Sequence, residues 1–167
     1  MDWNNYFMNL VYAIAARSKG KETHIGSVIV RQDNTIASTG YNSFPPHTND
    51  DKKERQERPL KYEFMNHSEG GAIDIAAKHG IALANCKIYT NGLPCAACAR
   101  QIISSGILEV FYDIEWQKMS PPEWKKSAVY SLQMFDEAGV RYHALTIDLV
   151  KPVKYMRGEY FSPPTKR

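Results

Sequence analysis

His67-Ser68-Glu69 and Pro94-Cys95-Ala96-Ala97-Cys98, the histidine and the first cysteine 28 positions apart, are the stretches around which this chain arranges itself. Cys95 and Cys98 are three apart, so on the first turn of a helix they share a face. Pro94 cannot continue a helix from before and sits well just ahead of one. Free amides and the positive dipole end at a helix start favour thiolates over thiols. His67 and Glu69 precede an apolar run, Ala72-Ile73 with Ile75-Ala76, that reads as a buried helix face ending at Gly80. Two helix starts facing each other would bring these side chains together. One neutral imidazole (His67) and two thiolates (Cys95, Cys98) fill three positions of a tetrahedral Zn²⁺ and leave the fourth open, as a catalytic site requires. Water at that position has its pKa drawn towards neutrality. Glu69, two residues after the histidine, is near the metal without having to bind it, and can take a proton and return it to a substrate.

Other readings of the same residues exist. A Cys-x-x-Cys alone could be a redox pair in a reducing compartment. A structural zinc site would need a fourth protein ligand, from Cys86 or another histidine. A His-x-Glu alone carries almost no information. The joint pattern, with its proline and the strand and helix rhythm around it, favours catalytic zinc.

The rest of the composition sets bounds. A chain of 167 residues suits one domain with a sizeable core. Hydrophobic content of 43% and charged content of 23% are ordinary for a globular protein. A net charge of +3 is too small to argue for a dedicated nucleic-acid surface. Three cysteines, two of them assigned to the metal, give no disulfide framework. No apolar run approaches the ~20 residues of a membrane helix, and Met1-Asp2-Trp3-Asn4-Asn5 lacks the basic start of a signal peptide. A cytoplasmic location and no membrane partner are expected.

Along the chain, Trp3, Tyr6, Phe7, Leu10, Val11 and Ile14 recur at helical spacing, predicting a helix over 3–18 with Asp2 as N-cap and an aromatic stripe in the core. Ile25 to Arg31 and Thr35 to Gly40 read as strands of a hairpin around Gln32-Asp33-Asn34. A polar segment follows over 43–66. It carries Lys52, Lys53, Arg55, Arg58 and Lys61 against Asp50, Asp51, Glu54 and Glu57, and leads directly into His67. It reads as a solvated loop or short exposed helix, or as a source of cations for a substrate phosphate. Helices are predicted at 67–79, 95–105 and 122–138, and strands at 87–91, 108–112 and 140–146. A hairpin followed by alternating strands and helices gives an α/β fold: a three-layer α/β/α arrangement with a mixed sheet of about five strands and helices on both faces. The metal site then lies at helix N-termini beside strand ends. Residues 151–167 are basic and contain prolines, and are expected to be an irregular tail.

His-x-Glu followed by Pro-Cys-x-x-Cys is the signature of zinc-dependent nucleobase deaminases. The chain resembles the deoxycytidylate (dCMP) deaminase group of the cytidine deaminase superfamily. The match covers roughly residues 5–147, the expected catalytic core of a single domain. It rests on Gly26-Ser27-Val28-Ile29-Val30, Gly40-Tyr41-Asn42-Ser43-Phe44-Pro45 and Arg58-Pro59-Leu60-Lys61-Tyr62. Beyond these it includes the two metal stretches, Ala72-Ile73, Ala99-Arg100 and Gly106-Ile107-Leu108-Glu109-Val110-Phe111-Tyr112. The resemblance implies a cytidine deaminase-like fold, one Zn²⁺ on His67, Cys95 and Cys98, and Glu69 as the proton shuttle. It also implies that Asn42 contacts the sugar and the backbone around Ser68 meets the pyrimidine edge. Trp116 stands where relatives often have a base-packing tyrosine, and Tyr112 is a further substrate-contact candidate. Relatives are usually homo-oligomeric, and several answer to dCTP and dTTP as effectors.

The chain departs from that pattern near the substrate edge. Ser68 replaces the usual alanine between histidine and glutamate, Gly71 the usual asparagine, and Ser43 the usual glycine after Gly-Tyr-Asn. The expected reaction is hydrolysis of a cytosine nucleotide, dCMP and water giving dUMP and ammonia. The competing expectations are deamination of dCTP, a modified cytosine or a purine nucleotide, a tRNA or nucleic-acid deaminase of the same superfamily, and a non-catalytic zinc-binding module. The small net charge opposes the nucleic-acid reading. Glu69 opposes the last, because a structural zinc has no use for a general base.

Overall fold

Asp2 opens helix α1 (Trp3–Ala15), its carboxylate accepting from the Asn5 amide at 2.9 Å and satisfying a donor the first turn leaves free. The computed structural model describes residues 1–20, 22–150, 154–156 and 159–161. α1 ends earlier than its periodicity predicts. The Ser18 hydroxyl pairs with both backbone groups of Ile25, at 2.9 and 3.0 Å, a local bonding that competes with a further helical turn. The aromatic stripe is also divided. Phe7, Met8 and Val11 are buried, whereas Trp3 and Tyr6 sit on the flank, exposed, edge to face with each other.

Strands β1 (Gly26–Val30) and β2 (Ile36–Tyr41) form the expected antiparallel hairpin, with a bulge at Ile29/Val30. In its turn Asn34 takes a left-handed φ of 66° and the Asp33 carboxylate accepts from the Thr35 amide. The polar segment after β2 is closed at its ends by paired backbone bonds between Ser43 and Asn66. Within it lie one 3₁₀ turn, Lys53–Gln56, and the short helix α2 (Lys61–Phe64). Then come α3 (Ser68–Lys78), β3 (Lys87–Thr90), α4 (Ala96–Ser104), β4 (Glu109–Asp113), α5 (Ile114–Met119), α6 (Pro122–Ala138) and β5 (Arg141–Leu145). α5 is an addition to the sequence reading: Asp113 caps it through the Glu115 amide at 2.8 Å.

The sheet runs β2-β1-β3-β4-β5, antiparallel from β2 to β3 and parallel from β3 to β5. Side chains alternate across it. Ile29, Ile88 and Val110 face a core with Ala72 and Ala76 of α3, Ala99 and Ile102 of α4 and Phe135 of α6. Val28, Val30, Tyr89 and Phe111 face Phe7, Met8 and Val11 of α1. The predicted mixed sheet between helical layers is therefore what forms. Two glycines make the layers close. A Cβ on Gly26 would meet the Val11 carbonyl at 2.4 Å, and one on Gly40 would meet the Ser68 carbonyl at 2.1 Å. Bare backbone at these points lets α1 and α3 lie directly on β1 and β2.

The tail expected to be irregular contains a short antiparallel pair, β6 (Lys154–Met156) and β7 (Glu159–Phe161), with Tyr155 opposite Tyr160. The rest of 151–167 lies outside the described residues. Among the described residues, no helix is long and apolar enough to cross a membrane.

Candidate active site

His67 and Cys95 occupy equivalent places: each is the extended N-cap residue of its helix, with φ/ψ of −72°/156° at the start of α3 and −71°/166° at the start of α4. The two starts converge. His67 Nδ1 lies 3.4 Å from Cys95 Sγ and 3.5 Å from Cys98 Sγ, and all three donor atoms fall within 4.8 Å of one another. Zinc bonds of about 2.0–2.1 Å to nitrogen and about 2.3 Å to sulfur place N and S about 3.5–3.6 Å apart in a tetrahedron. The donor set therefore fits one such ion. The donors' mutual proton sharing points to the same convergence. Cys95 is drawn well down, chiefly by the hydrogen bond from Cys98 and also by His67. Cys98 is pushed up by the same bond, and His67 rises to about 9 beside Cys95. A cation would replace those shared protons.

The convergence is held from several sides. Gly40 lets α3 sit against β2, and Gly70 leaves room for the Gln101 amide of α4, which a Cβ would meet at 2.7 Å. α6 fixes the loop before α4: Ser131 Oγ donates to the Pro94 carbonyl at 2.7 Å, and Ser127 Oγ accepts from the Ala96 amide at 3.0 Å.

Glu69, in the first turn of α3, is 5% exposed and opens onto a cavity it shares with His67, Cys95, Asn42, Thr90 and Trp116. Burial raises its pKa, opposed by the charge of His67. A carboxyl beside the converged donors and open to the cavity is placed to exchange a proton with a group bound there.

The other residues singled out in the sequence divide. Asn42 lines the cavity; its side-chain oxygen accepts from the Ser68 amide at 3.0 Å, which leaves its NH₂ as the donor for a ligand. Trp116 lines it too, stacked on Trp124 at 5.9 Å and lying over Gly92, where a Cβ would come within 2.3 Å of the ring. Ser68 is fully buried behind Glu69, with its backbone amide already taken by Asn42. Tyr112 is buried in β4 in register with Thr90 and is not part of the wall. Sequence reasoning missed several wall residues, among them Thr90, Gln117 and Trp124. Gln117 accepts from the Leu93 amide at 2.9 Å and ties α5 to the loop before the cysteines. An Asp followed by Ile-Glu-Trp after a strand was a usable signal for α5; nothing local signalled that Trp124 would meet Trp116.

A second cavity adjoins the first. It shares Asn42, His67 and Trp124 and is lined further by Thr23, Arg58, Lys61, Tyr62 and Met65. Of the five cations between positions 52 and 61, Arg58 and Lys61 reach it. Arg55 instead packs 4.2 Å over the Phe64 ring. Lys61 is 8% exposed, and the Glu22 carboxylate faces Arg58 at 3.4 Å and Lys61 at 4.0 Å.

Residues 1–114 match the family model described as the cytidine and deoxycytidylate deaminase zinc-binding region. The chain belongs to the cytidine and deoxycytidylate deaminase family. It is a deaminase, and the matched region contains His67, Glu69, Cys95 and Cys98. The deaminase is 35% identical over 152 residues to a probable deoxycytidylate deaminase of Drosophila melanogaster, covering 85% of this chain and 71% of the fly protein. It is 31% identical over 147 residues to a deoxycytidylate deaminase of Pongo abelii, covering 85% and 79%. It also shares its fold with the dCMP deaminase of cyanophage S-TIM5, solved in complex with dCMP and dUMP. The TM-score is 0.65 at 19% identity, over 84% of this chain and 94% of the phage chain.

Proposed function

We propose that the deaminase hydrolyses a cytosine nucleotide, converting dCMP and water to dUMP and ammonia, with one Zn²⁺ held by His67, Cys95 and Cys98. The observation that carries this reading is the buried carboxylate of Glu69 sharing one cavity with the converged imidazole and thiolates. The zinc, when bound, supplies the Lewis acidity that makes water a nucleophile near neutral pH. Glu69 takes the proton from the attacking water. The hydroxide so formed adds at C4 while Glu69 gives its proton to N3; Glu69 then passes the proton of the new C4 hydroxyl to the exocyclic nitrogen, the C4–N bond breaks as the C4 carbonyl forms, and ammonia leaves. Trp116 packs on the base, and the Asn42 NH₂ is offered to the sugar.

The nucleotide, rather than the nucleoside, is favoured by Arg58 and Lys61. They flank the adjoining cavity at the distance of one shared wall, and Arg presents paired donors to a phosphate. The acids of the same segment nearly cancel its charge in bulk, so a local phosphate site is expected without general attraction of polyanions. The fly and orangutan relatives, named for deoxycytidylate, support the same substrate. Assembly into a homo-oligomer fits the exposed Val129 and Tyr130 on α6 and is checked by light scattering with and without dCTP and dTTP. The deciding experiment measures ammonia release from dCMP, deoxycytidine, dCTP and a short cytosine-containing single strand, with a chelator control. The reading requires dCMP to have the highest kcat/KM and chelation to abolish turnover. Equal rates on nucleoside and nucleotide would remove the phosphate site, and a faster single strand would move the protein to the nucleic-acid editing class.

A further inference from the structure

Behind Glu69 lies a row of hydroxyls with no access to solvent. Ser27 Oγ of β1 is 2.7 Å from Ser68 Oγ, and Ser68 Oγ is 3.0 Å from Glu69 Oε2; Ser27 and Ser68 are both 0% exposed. The direction of the row follows from chemistry. An ionised carboxylate accepts and cannot donate, so the Ser68 hydrogen points to Glu69. Ser68 then has lone pairs left, and the Ser27 hydrogen points to Ser68. The backbone at both ends is fixed. Ser27 sits in register between Gly40 and Thr90 of the neighbouring strands, and the Ser68 amide is held by Asn42.

We infer that Ser68, itself oriented by Ser27, is a positioning residue that locks the Glu69 carboxylate through Oε2 and reserves Oε1 for proton transfer. The bond survives the proton's arrival, because a carboxyl protonated on Oε1 still accepts on Oε2. The carboxylate thus need not rotate between taking a proton and giving it up. A rotor held in one well loses no rate to misaligned populations, which is how supporting hydroxyls contribute to a preorganised site. Alanine, the residue expected here from the family resemblance, has no donor for this bond. This chain therefore orients its carboxylate by a different means from relatives that carry alanine. The inference rests on the proposed role of Glu69.

Ser68→Ala, Ser27→Ala and the double variant test it, with Glu69→Gln alongside. Ser68→Ala should lower kcat on dCMP about 5–30-fold with KM within about twofold and zinc content unchanged. Ser27→Ala should lower kcat less, by about 2–5-fold, and add nothing in the Ser68→Ala background. Stability should move differently. Ser68→Ala leaves the Ser27 hydroxyl buried and unpaired, so adding Ser27→Ala should recover part of the lost Tm without recovering kcat. A merely structural role would make Tm and kcat rise and fall together. Normal kcat in Ser68→Ala, or loss of zinc along with activity, overturns the inference. If Ser68→Ala does not fold, an unaltered kcat in Ser27→Ala overturns it equally. Should Glu69→Gln itself turn over normally, it is the role of Glu69 that fails; an inactive Glu69→Gln beside a normal Ser68→Ala rejects the positioning role alone.

Discussion

The metal cradle and the substrate wall are built on opposite plans. The cradle takes its four functional side chains from two helix starts, His67 and Glu69 at α3 and Cys95 and Cys98 at α4. Within each start, helical geometry alone fixes the pair. Backbone contacts at Gly40 and serine bonds from α6 hold the two starts together. The wall draws on α2 and the loop before it, α5, the start of α6 and the end of β3, and its parts meet through side chains: Trp116 on Trp124, Gln117 on the Leu93 amide, Glu22 facing Arg58. On the proposed function, reaction chemistry and substrate choice fall to different regions, and substitutions in the two should fail in different ways.

The largest effect is expected from the cradle. Cys98→Ala removes a buried donor that no other cysteine can replace, since Cys86 lies in the core packed with Ile88 and Val110. Zinc per chain should fall from one to near zero and turnover to background, read by metal analysis and ammonia release. A variant retaining stoichiometric zinc would show that another residue completes the site.

Next comes Glu69→Gln, which keeps size and burial but cannot carry the proton. Its kcat should fall at least ~10²-fold while zinc stays bound. Should zinc be lost instead, Glu69 would belong among the metal ligands, and the division between donors and proton carrier within the cradle would have to be redrawn.

The wall should yield smaller and more selective losses. Arg58→Ala and Lys61→Met each remove one charged partner for a phosphate, about 1.5–3 kcal/mol for a charged hydrogen bond, or about 10–150-fold in kcat/KM for dCMP. Deoxycytidine should be deaminated as before. Equal losses on nucleotide and nucleoside would mean that these cations support the fold and not the substrate.

The same division governs what the sequence reveals. The cradle is legible because its residues are three apart or fewer within each half, a separation at which one helical turn determines geometry. The five strands and the main helices are legible for the same reason: periodicity is local. The wall is not. Trp124 is eight residues from Trp116, across Pro121-Pro122, and only the turn between α5 and α6 brings the rings parallel. Among five cations in one polar segment, the selection of Arg58 and Lys61 depends on how that segment closes between Ser43 and Asn66. Tyr112, a substrate-contact candidate in the sequence, is buried in β4 and does not line the wall. Ser68 looked like a change at the substrate edge; its contact with Ser27, 41 residues away, turns it inward.

The smallest effect probes the support beneath the wall. Tyr12 of α1 donates to Asp113 Oδ2 at 2.5 Å, while Asp113 Oδ1 caps α5, the helix that carries Trp116 and Gln117. Tyr12→Phe removes a hydrogen bond to a carboxylate that is 7% exposed. The loss of about 1.5–3 kcal/mol corresponds to a Tm lower by roughly 3–12 °C for a chain of this size. Because the α5 cap is retained, kcat on dCMP should stay within about twofold and KM should rise slightly. The pH dependence gives a second reading. Burial, reinforced by Asp113, holds the Tyr12 hydroxyl well above its ordinary range. A folded-state pKa raised above the unfolded value contributes stability that is complete below about pH 10 and is lost as pH rises beyond it. Wild type should therefore lose Tm above about pH 10, and Tyr12→Phe should lose less over the same interval. Part of the slope should remain, because burial raises Tyr89 in the same direction. A kcat loss in Tyr12→Phe as deep as that of Glu69→Gln would show that α1 reaches the cradle through Asp113, and that wall and cradle are one mechanical unit after all.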